Sequence, residues 1–163
     1  MASRPSFDDV PDTRRRNMAA IRGKDTAPEL VVRKMLHALG YRFRLHRRDL
    51  PGKPDIVLPR LRRVIEVRGC FWHRHQGCVL AAVPSTRPAF WTAKFAATVA
   101  RDACNLDALE LAGWNVLVLW QCEIGNHERL RERLVDFLAD PGNAHRRDAP
   151  TPPLAATPPL RTR

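Results

Sequence analysis

The 163-residue sequence lacks the features of several protein classes. No apolar run approaches the roughly 20 residues that span a bilayer, so we expect no membrane protein. The first residues, MASRPSFDDV, contain no apolar secretory segment, so we expect a cytoplasmic protein. Cysteine is limited to four residues, and a hydrophobic fraction of 44% supplies a core that needs no disulfides. The same fraction argues against disorder along the full length.

Acidic residues are also few. The chain carries 28 Lys and Arg against 17 Asp and Glu, which gives a formal net charge of +11. Between Arg60 and Arg101 the only acidic residue is Glu66. This excess of positive charge favours an anionic partner, most often nucleic acid. A solvated basic surface without a partner is the alternative.

Composition along the chain predicts one folded domain with two tails. We expect a flexible N-terminus over residues 1–12, a domain over 13–140 and a tail over 141–163. The tail holds six of the fourteen prolines, a composition that cannot bury a core and predicts disorder.

Hydrophobic periodicity predicts a mixed α/β sandwich in which an antiparallel meander is joined by one crossover strand. Thr26 and Glu29 form a capping-box pattern, and Gly40 and Gly113 are suited to end helices. Residues 114–120 are nearly all apolar, which predicts a strand buried on both faces. The predicted helices are 14–22, 27–39, 88–111 and 126–138, and the predicted strands are 41–46, 55–58, 64–67 and 114–120. Residues 70–84 show no period and are expected to form an irregular loop.

Two carboxylates are predicted to converge between neighbouring strands. Asp55 begins one strand, and Glu66 lies on the strand paired with it. Converging carboxylates suit Mg²⁺, which prefers oxygen ligands, polarises a phosphodiester and activates water. The alternative makes Asp55 a turn residue and pairs Glu66 with a neighbouring arginine.

Cysteines and histidines cluster in the predicted loop. Cys70, His73, His75 and Cys78 lie within nine residues, and Cys122 follows the last strand. Three cysteines and one histidine suit a structural zinc ion, which would attach the loop to that strand. The residues alone leave His73 as either a zinc ligand or a catalytic base, and buried cysteines with surface histidines are the alternative to zinc. Cys104 has no partner in sequence and is expected to be a plain helical residue.

Aromatic residues accompany this cluster in the most basic third of the chain. Phe71, Trp72 and Trp91 are candidates for wedges that enter and unstack a base step. A place in the core is the alternative for each of them, and Trp114 and Trp120 are predicted to lie in the core.

From about Arg14 to Leu138 the sequence resembles the very short patch repair (Vsr) DNA mismatch endonucleases. The resemblance rests on RRNMAAIRGKDTAPE, YRFRLHRRDLPGKPDIV, VIEVRGCFWHRHQGC, FWTAKFAATVARD and LAGWNVLVLWQCE. It implies a restriction-endonuclease-like PD-(D/E)XK fold, with a mixed sheet flanked by helices and a structural zinc site. It also implies an Mg²⁺-dependent enzyme that nicks 5′ to the T of T:G mismatches, which arise when 5-methylcytosine deaminates.

The resemblance implies roles for individual residues. Asp55 and the main-chain carbonyl of Val67 correspond to the family's Mg²⁺ ligands, and Glu66 is an additional candidate. His73 corresponds to the histidine that activates the attacking water, and Asp102 to the residue that supports it. A neutral imidazole near pH 7 can accept that proton.

Further roles follow from the same resemblance. Glu29 corresponds to an acidic residue near the metal-bound waters. The implied zinc ligands are Cys70, His75, Cys78 and Cys122. The predicted DNA contacts are Met18, Phe71, Trp72, Trp91, Arg14, Arg15, Arg16, Lys24 and Arg68. The expected partners are double-stranded DNA with a T:G mismatch and, functionally, a cytosine-5 DNA methyltransferase, with the protein acting as a monomer at the bacterial nucleoid.

The chain departs from the family's usual pattern at two positions, where Glu66 and Arg68 replace a hydrophobic residue and a histidine. Two other functions stay open. One is a restriction-type nuclease of the same fold with another DNA target. The other is a zinc-stabilised DNA-binding protein without chemistry, against which the presence of Asp55 and His73 argues.

Overall fold

The computed structural model describes Arg16 and residues 23–139. The helices are α1 (Ala27–Ala38), α2 (Pro88–Leu111) and α3 (His127–Ala139). The strands are β1 (Arg44–Leu45), β2 (Ile56–Leu58), β3 (Arg63–Arg68) and β4 (Asn115–Trp120). No helix in this described part is long and apolar enough to cross a membrane. The predicted helix over 14–22 lies outside the described residues except for Arg16, which is helical and exposed. Both predicted tails lie outside them as well.

The four strands form one sheet in the order β1-β2-β3-β4. The first three strands pair antiparallel, and β4 pairs parallel with β3. A parallel neighbour needs a crossover connection, and the 24-residue α2 supplies it. The predicted meander with one crossover strand is therefore confirmed.

Local signals explain the helix bounds. The Thr26 side chain accepts a hydrogen bond from the backbone of Glu29, and Glu29 bonds back to the Thr26 backbone, so both halves of the capping box are present at α1. Gly40 has a φ of +82° and follows the last turn of that helix. Pro88 opens α2, and Gly113 (φ +78°) follows its end. These positions agree with the sequence-based expectation.

The core lies on both faces of the sheet because side chains along a strand alternate in direction. Ile56 on β2 and Ile65 on β3 pack in the larger cluster, which includes Leu36 of α1 and Leu134 of α3. On the other face, Val57 and Val64 pack with Leu109 of α2 and with Trp114. The sheet is therefore mixed and flanked by helices.

Two strand predictions need correction. The predicted strand over 41–46 is reduced to Arg44–Leu45, the two residues that pair with β2; residues 41–43 are not paired in the sheet, and His46 adopts a left-handed backbone (φ +45°) that ends the strand. Strand β4 is not buried on both faces: it lies at the sheet edge, and Leu119 is its only buried residue. Trp114 is in the core as predicted, whereas Trp120 is only half-buried.

Candidate active site and zinc centre

Asp55 is held where β2 meets β3. The antiparallel register sets Ile56 opposite Ile65, which brings Asp55 to the end of β3. There the backbone N–H of Val67 donates to Oδ2 of Asp55 at 2.8 Å. The sheet therefore orients the carboxylate through main-chain geometry.

The surroundings of Asp55 disfavour its negative charge. Burial, with added repulsion from Glu29 and Glu66, raises the pKa of Asp55 to about 6, although the Val67 hydrogen bond and His46 act in the other direction. Glu29 and Glu66 each pair with an arginine. Asp55 is thus a partly buried carboxylate beside two others, and an oxygen-rich site with excess negative charge suits a hard divalent cation.

Glu66 is engaged by the arginine two residues further along its own strand. Nε and a terminal nitrogen of Arg68 donate to Oε2 of Glu66 at 2.9 and 2.6 Å, and Arg68 is buried. The alternative reading from sequence, a Glu66–Arg pair, is what the structure contains. Arg68, predicted as a DNA contact, has its guanidinium directed at Glu66.

Glu29 is the centre of a buried polar network at the start of α1. Its carboxylate accepts hydrogen bonds from the Thr26 hydroxyl at 2.9 Å, from the Asp25 backbone at 3.0 Å and from Arg33 at 2.8 Å. Arg33 also bonds to Asp25 at 2.6 Å and contacts the ring of His46 at 3.0 Å. Arg33 and His46 were not predicted as site residues from the sequence. The i,i+4 spacing of Glu29 and Arg33 on a predicted helix indicates an ion pair and could have identified Arg33.

His73 and Asp102 form a pair between the loop after β3 and helix α2. Nδ1 of His73 lies 2.5 Å from Oδ2 of Asp102, which is buried. The other oxygen of Asp102 is 3.4 Å from Arg101. Because the carboxylate accepts at Nδ1, the lone pair of a neutral ring lies at Nε2. The His73 side chain is 27% exposed, so this nitrogen can meet a solvent-borne group.

The parallel pairing of β3 with β4 assembles the zinc candidates. Arg68 is opposite Trp120 in the register, so Cys70 and Cys122, each two residues further on, leave neighbouring strand ends. His75 and Cys78 come from the loop, and the four donor atoms all lie within 4.8 Å of one another. Nδ1 of His75 is 3.7 Å from Sγ of Cys70 and 3.3 Å from Sγ of Cys122. Tetrahedral zinc separates sulfur and nitrogen ligands by about 3.5 Å, so this donor set fits zinc.

Two thiols of this cluster have pKa values shifted in opposite directions. Desolvation and the neighbouring Cys70 and Cys78 raise the pKa of the Cys122 thiol to about 12, whereas a backbone hydrogen bond from Leu80 is the main cause that lowers the pKa of Cys78. A cation that binds the sulfurs would stabilise the thiolate form of Cys122. The ring of His75 also stacks on Trp120, with centroids 4.3 Å apart and planes 5° apart, a contact that explains why Trp120 lies outside the core.

The candidate wedge residues belong to one aromatic cluster. Phe71 packs edge-on against Trp72 (5.0 Å), Trp91 (5.5 Å) and Phe95 (5.2 Å). Trp91 and Phe95 are buried, whereas Phe71 and Trp72 are half-buried. The ammonium of Lys94 lies 5.4 Å from the Trp72 ring. Part of the Trp72 side chain is therefore exposed to solvent. The buried aromatic rings of the cluster, Trp91 among them, support it.

The remaining residues predicted to contact DNA are not part of the aromatic cluster, and three of them lie outside the described residues. Arg16 and Lys24 are exposed. Met18, Arg14 and Arg15 lie outside the described residues. Cys104 is an exposed residue of α2, apart from the zinc candidates, as the sequence predicts.

The chain is similar in sequence to known DNA endonucleases. Residues 8–79 match the family model described as DNA mismatch endonuclease Vsr. The chain is 50% identical over 128 residues to the type II nicking enzyme V.XorIIP of Xanthomonas oryzae pv. oryzae, covering 78% of this chain and 93% of that protein. It is 40% identical over 135 residues to the DNA mismatch endonuclease Vsr of Escherichia coli, covering 80% and 86%. Among solved structures, the catalytic domain of homing endonuclease I-Bth0305I aligns with a TM-score of 0.49 at 19% identity, covering 71% of this chain and 96% of that one. With relatives this similar over most of its length, the chain is a DNA endonuclease that belongs to the Vsr family of DNA mismatch endonucleases.

Proposed function

We propose that the protein is an Mg²⁺-dependent endonuclease that nicks double-stranded DNA 5′ to the T of a T:G mismatch. The observation that supports this most directly is the His73–Asp102 pair, formed beside the strand whose Val67 N–H holds Asp55. A metal-binding carboxylate and an oriented base are the two parts that phosphodiester hydrolysis requires. Membership of the Vsr family supports the mismatch as target.

The proposed Mg²⁺ site is formed by Asp55 and the main-chain carbonyl of Val67. Bound there, Mg²⁺ supplies a positive charge that polarises the phosphodiester and lowers the pKa of a water molecule. Asp55 fits because its carboxylate is oriented by Val67 N–H, whereas Glu29 and Glu66 are each engaged by an arginine. Both Arg68 hydrogen bonds go to Oε2 of Glu66, so Glu66 balances that arginine and would join as an additional ligand through Oε1.

His73 is proposed to accept the proton of the attacking water at Nε2. Asp102 holds the ring by Nδ1, which keeps the accepting lone pair at Nε2 and stabilises the imidazolium that forms. The water then attacks phosphorus in line, the bond between phosphorus and the 3′ oxygen breaks, and the leaving 3′ oxygen takes a proton from solvent, so the products are a 5′-phosphate and a 3′-hydroxyl. Glu29, at the start of α1, contributes in two ways: its negative charge raises the pKa of Asp55, and its carboxylate accepts a hydrogen bond from Arg33.

The zinc centre is proposed to be structural. All four candidate ligands, Cys70, His75, Cys78 and Cys122, are protein side chains, which leaves no open position for a substrate. The ion would attach the loop that carries His73 to the end of β4. We further propose that the mixed sheet belongs to the PD-(D/E)XK class, with its domain over residues 13–140.

The proposed DNA-binding surface combines charge with the aromatic cluster. Exposed Arg16 and Lys24 supply phosphate contacts, together with Arg14 and Arg15 of the undescribed N-terminal segment. Phe71 and Trp72 form the wedge at the mismatched step, Trp91 supports them, and Met18 is proposed to enter from the opposite side. Deaminated 5-methylcytosine as the source of the mismatch implies a cytosine-5 methyltransferase in the same bacterial cell, acting on the same DNA at the nucleoid.

A direct test compares one duplex in three forms, with a T:G, a T:A or a C:G pair at the same position. We expect nicking only of the T:G duplex, on the T strand, and only when Mg²⁺ is added. Omission of Mg²⁺ is the right control, since a strong chelator would also remove zinc. Equal nicking of the T:A duplex would indicate a restriction-type nuclease, and binding without any nicking would indicate a DNA-binding protein without chemistry.

Trp72→Ala is expected to lower T:G-specific nicking by a factor of about 5 to 150, the value of one lost base–aromatic stack. Binding to matched DNA should survive and stay steeply salt-dependent, because it comes from phosphate contacts. The melting temperature should change little, since Trp72 is half-buried above the buried rings of Trp91 and Phe95. The measurements are nicking rate, matched-duplex affinity and melting temperature on the same preparation.

Phe95→Leu is the matched control for Trp72→Ala, because Phe95 lies in the same cluster but is buried. Its loss of ring volume should lower the melting temperature and leave mismatch preference intact. If Trp72→Ala behaves like Phe95→Leu, Trp72 is a core residue and not a wedge.

A further inference from the structure

His46, at the end of strand β1, lies close to the proposed metal-binding carboxylate of Asp55. It follows β1 directly, and its backbone N–H donates to the carbonyl oxygen of Asp55 at 3.2 Å. Its ring Nδ1 is 3.9 Å from Oδ1 of Asp55, whereas Oδ2 accepts the hydrogen bond from Val67. The two oxygens of this carboxylate therefore face two different residues, one on each neighbouring strand end.

The backbone of His46 is in a conformation that only a few residue types adopt readily. Its φ of +45° places it in the left-handed region, where histidine is enriched among non-glycine residues but still strained. Asp25, whose carboxylate is 3.7 Å from Nε2 of His46, has a φ of +56°. Such strain persists where the surrounding structure holds it in place, and it concentrates at functional sites.

Arg33 determines which nitrogen of His46 carries the proton. A terminal nitrogen of Arg33 is 3.0 Å from Nε2 of the ring. A guanidinium has donors only, so Nε2 must accept, and the proton of the neutral ring lies on Nδ1, toward Asp55. Arg33 is itself buried, and its guanidinium donates to Asp25 at 2.6 Å and to Glu29 at 2.8 Å. These two hydrogen bonds fix the position of the guanidinium beside His46.

We propose that His46 is a positioning residue for the Mg²⁺ site, an inference that rests on the proposed role of Asp55. The Nδ1–H of His46 holds Oδ1 while Val67 N–H holds Oδ2, so the carboxylate meets the cation in one orientation. The present 3.9 Å contact is longer than a hydrogen bond, and such contacts at active sites commonly shorten when the complex assembles. Outer partners of this kind change metal affinity by about 10- to 100-fold.

The test measures Mn²⁺ binding by electron paramagnetic resonance, with full-length protein on a pre-nicked T:G duplex that has no bond left to cut. His46→Ala removes the donor and should weaken Mn²⁺ binding about 10- to 100-fold. His46→Asn keeps an N–H at the δ position and tolerates the left-handed backbone, so its Mn²⁺ affinity should stay close to wild type. In nicking assays, His46→Ala should raise the Mg²⁺ concentration for half-maximal rate more than it lowers kcat at saturating Mg²⁺.

His127→Ala, at the exposed start of α3, is the matched control and should bind Mn²⁺ as wild type does. Wild-type affinity in His46→Ala, with binding lost in Asp55→Asn, would overturn the positioning role and leave the metal site intact. Wild-type affinity in Asp55→Asn would overturn the proposed metal site instead. If His46→Ala does not fold, His46→Asn decides: weak Mn²⁺ binding at an unchanged melting temperature contradicts the proposal, and near-normal binding supports it.

Discussion

Asp55→Asn is expected to abolish nicking and, at the same time, to stabilise the Mg²⁺-free protein at pH 8. The substitution removes the charge that anchors the cation, a change that should cost at least 1,000-fold in rate, or about 4 kcal/mol. Asparagine keeps an oxygen that can accept the Val67 N–H, so the local fold should survive. DNA affinity should not fall, because the variant repels phosphate less than the carboxylate does.

The gain in stability follows from the raised pKa of Asp55. The pKa is 3.8 for an ordinary aspartate and about 6 here, so the folded chain binds a proton that the unfolded chain has already lost in the window between them. Well below pH 3.8 both states are protonated and the carboxyl group costs the folded state nothing. The stability of the wild type falls as the pH rises through the window between the two pKa values, and about one pH unit above 6 the loss reaches its full value of about 3 kcal/mol.

Asp55→Asn should therefore melt higher than wild type at pH 8 and almost equally at pH 4, with no Mg²⁺ in either buffer. Asp49→Asn is the matched control: it lies six residues earlier, is exposed, and has its pKa lowered by a hydrogen bond with Arg47. We expect Asp49→Asn to nick normally and to show no gain at pH 8. A nicking rate near wild type in Asp55→Asn would remove Asp55 from the metal site, whatever the melting curves show.

Cys122→Ser is expected to cause the largest loss of stability among single substitutions at exposed positions. The Cys122 side chain is exposed, so replacing sulfur by oxygen removes almost no packing. It does remove the ligand that joins the loop after β3 to the end of β4. If the zinc affinity falls about 1,000-fold, the protein loses about 4 kcal/mol of metal-linked stability. For a domain of this size that is roughly 10 °C in melting temperature.

Zinc content by elemental analysis and melting curves before and after chelation measure this effect. Wild type should carry one zinc per chain and should melt lower once the metal is removed, whereas the curve of Cys122→Ser should respond little to the chelator. Cys104→Ser, equally exposed but on α2, should behave as wild type. A wild-type protein without zinc, or one with the same melting curve after chelation, would contradict the structural zinc centre.

Local patterns were predictable because their causes lie within a few residues. The capping box of Thr26 and Glu29 depends on neighbours three residues apart, and Pro88 starts a helix whatever lies around it. The short apolar runs that predicted β2 and β3 are local in the same way. The strand over 41–46 was predicted too long because its extent depends on pairing with β2, which only Arg44 and Leu45 achieve, and because His46, in contact with Asp55 and Arg33 from elsewhere in the chain, has a left-handed backbone.

The sequence by itself determined the order of elements, a cluster of cysteines and histidines suited to zinc, the candidate carboxylate Asp55, and an excess of positive charge. It could not assign partners, and His73 could equally have been a ligand or a base from its neighbours alone. The tertiary structure places His75, and not His73, among the cysteines, because the parallel register of β3 with β4 brings Cys70 and Cys122 around His75, while α2 presents Asp102 to His73. It also decided that Glu66 pairs with Arg68 and that Trp120 stacks on His75 at a sheet edge. Such pairings depend on distances between residues far apart in the chain, which only the packing of the sheet and its helices determines.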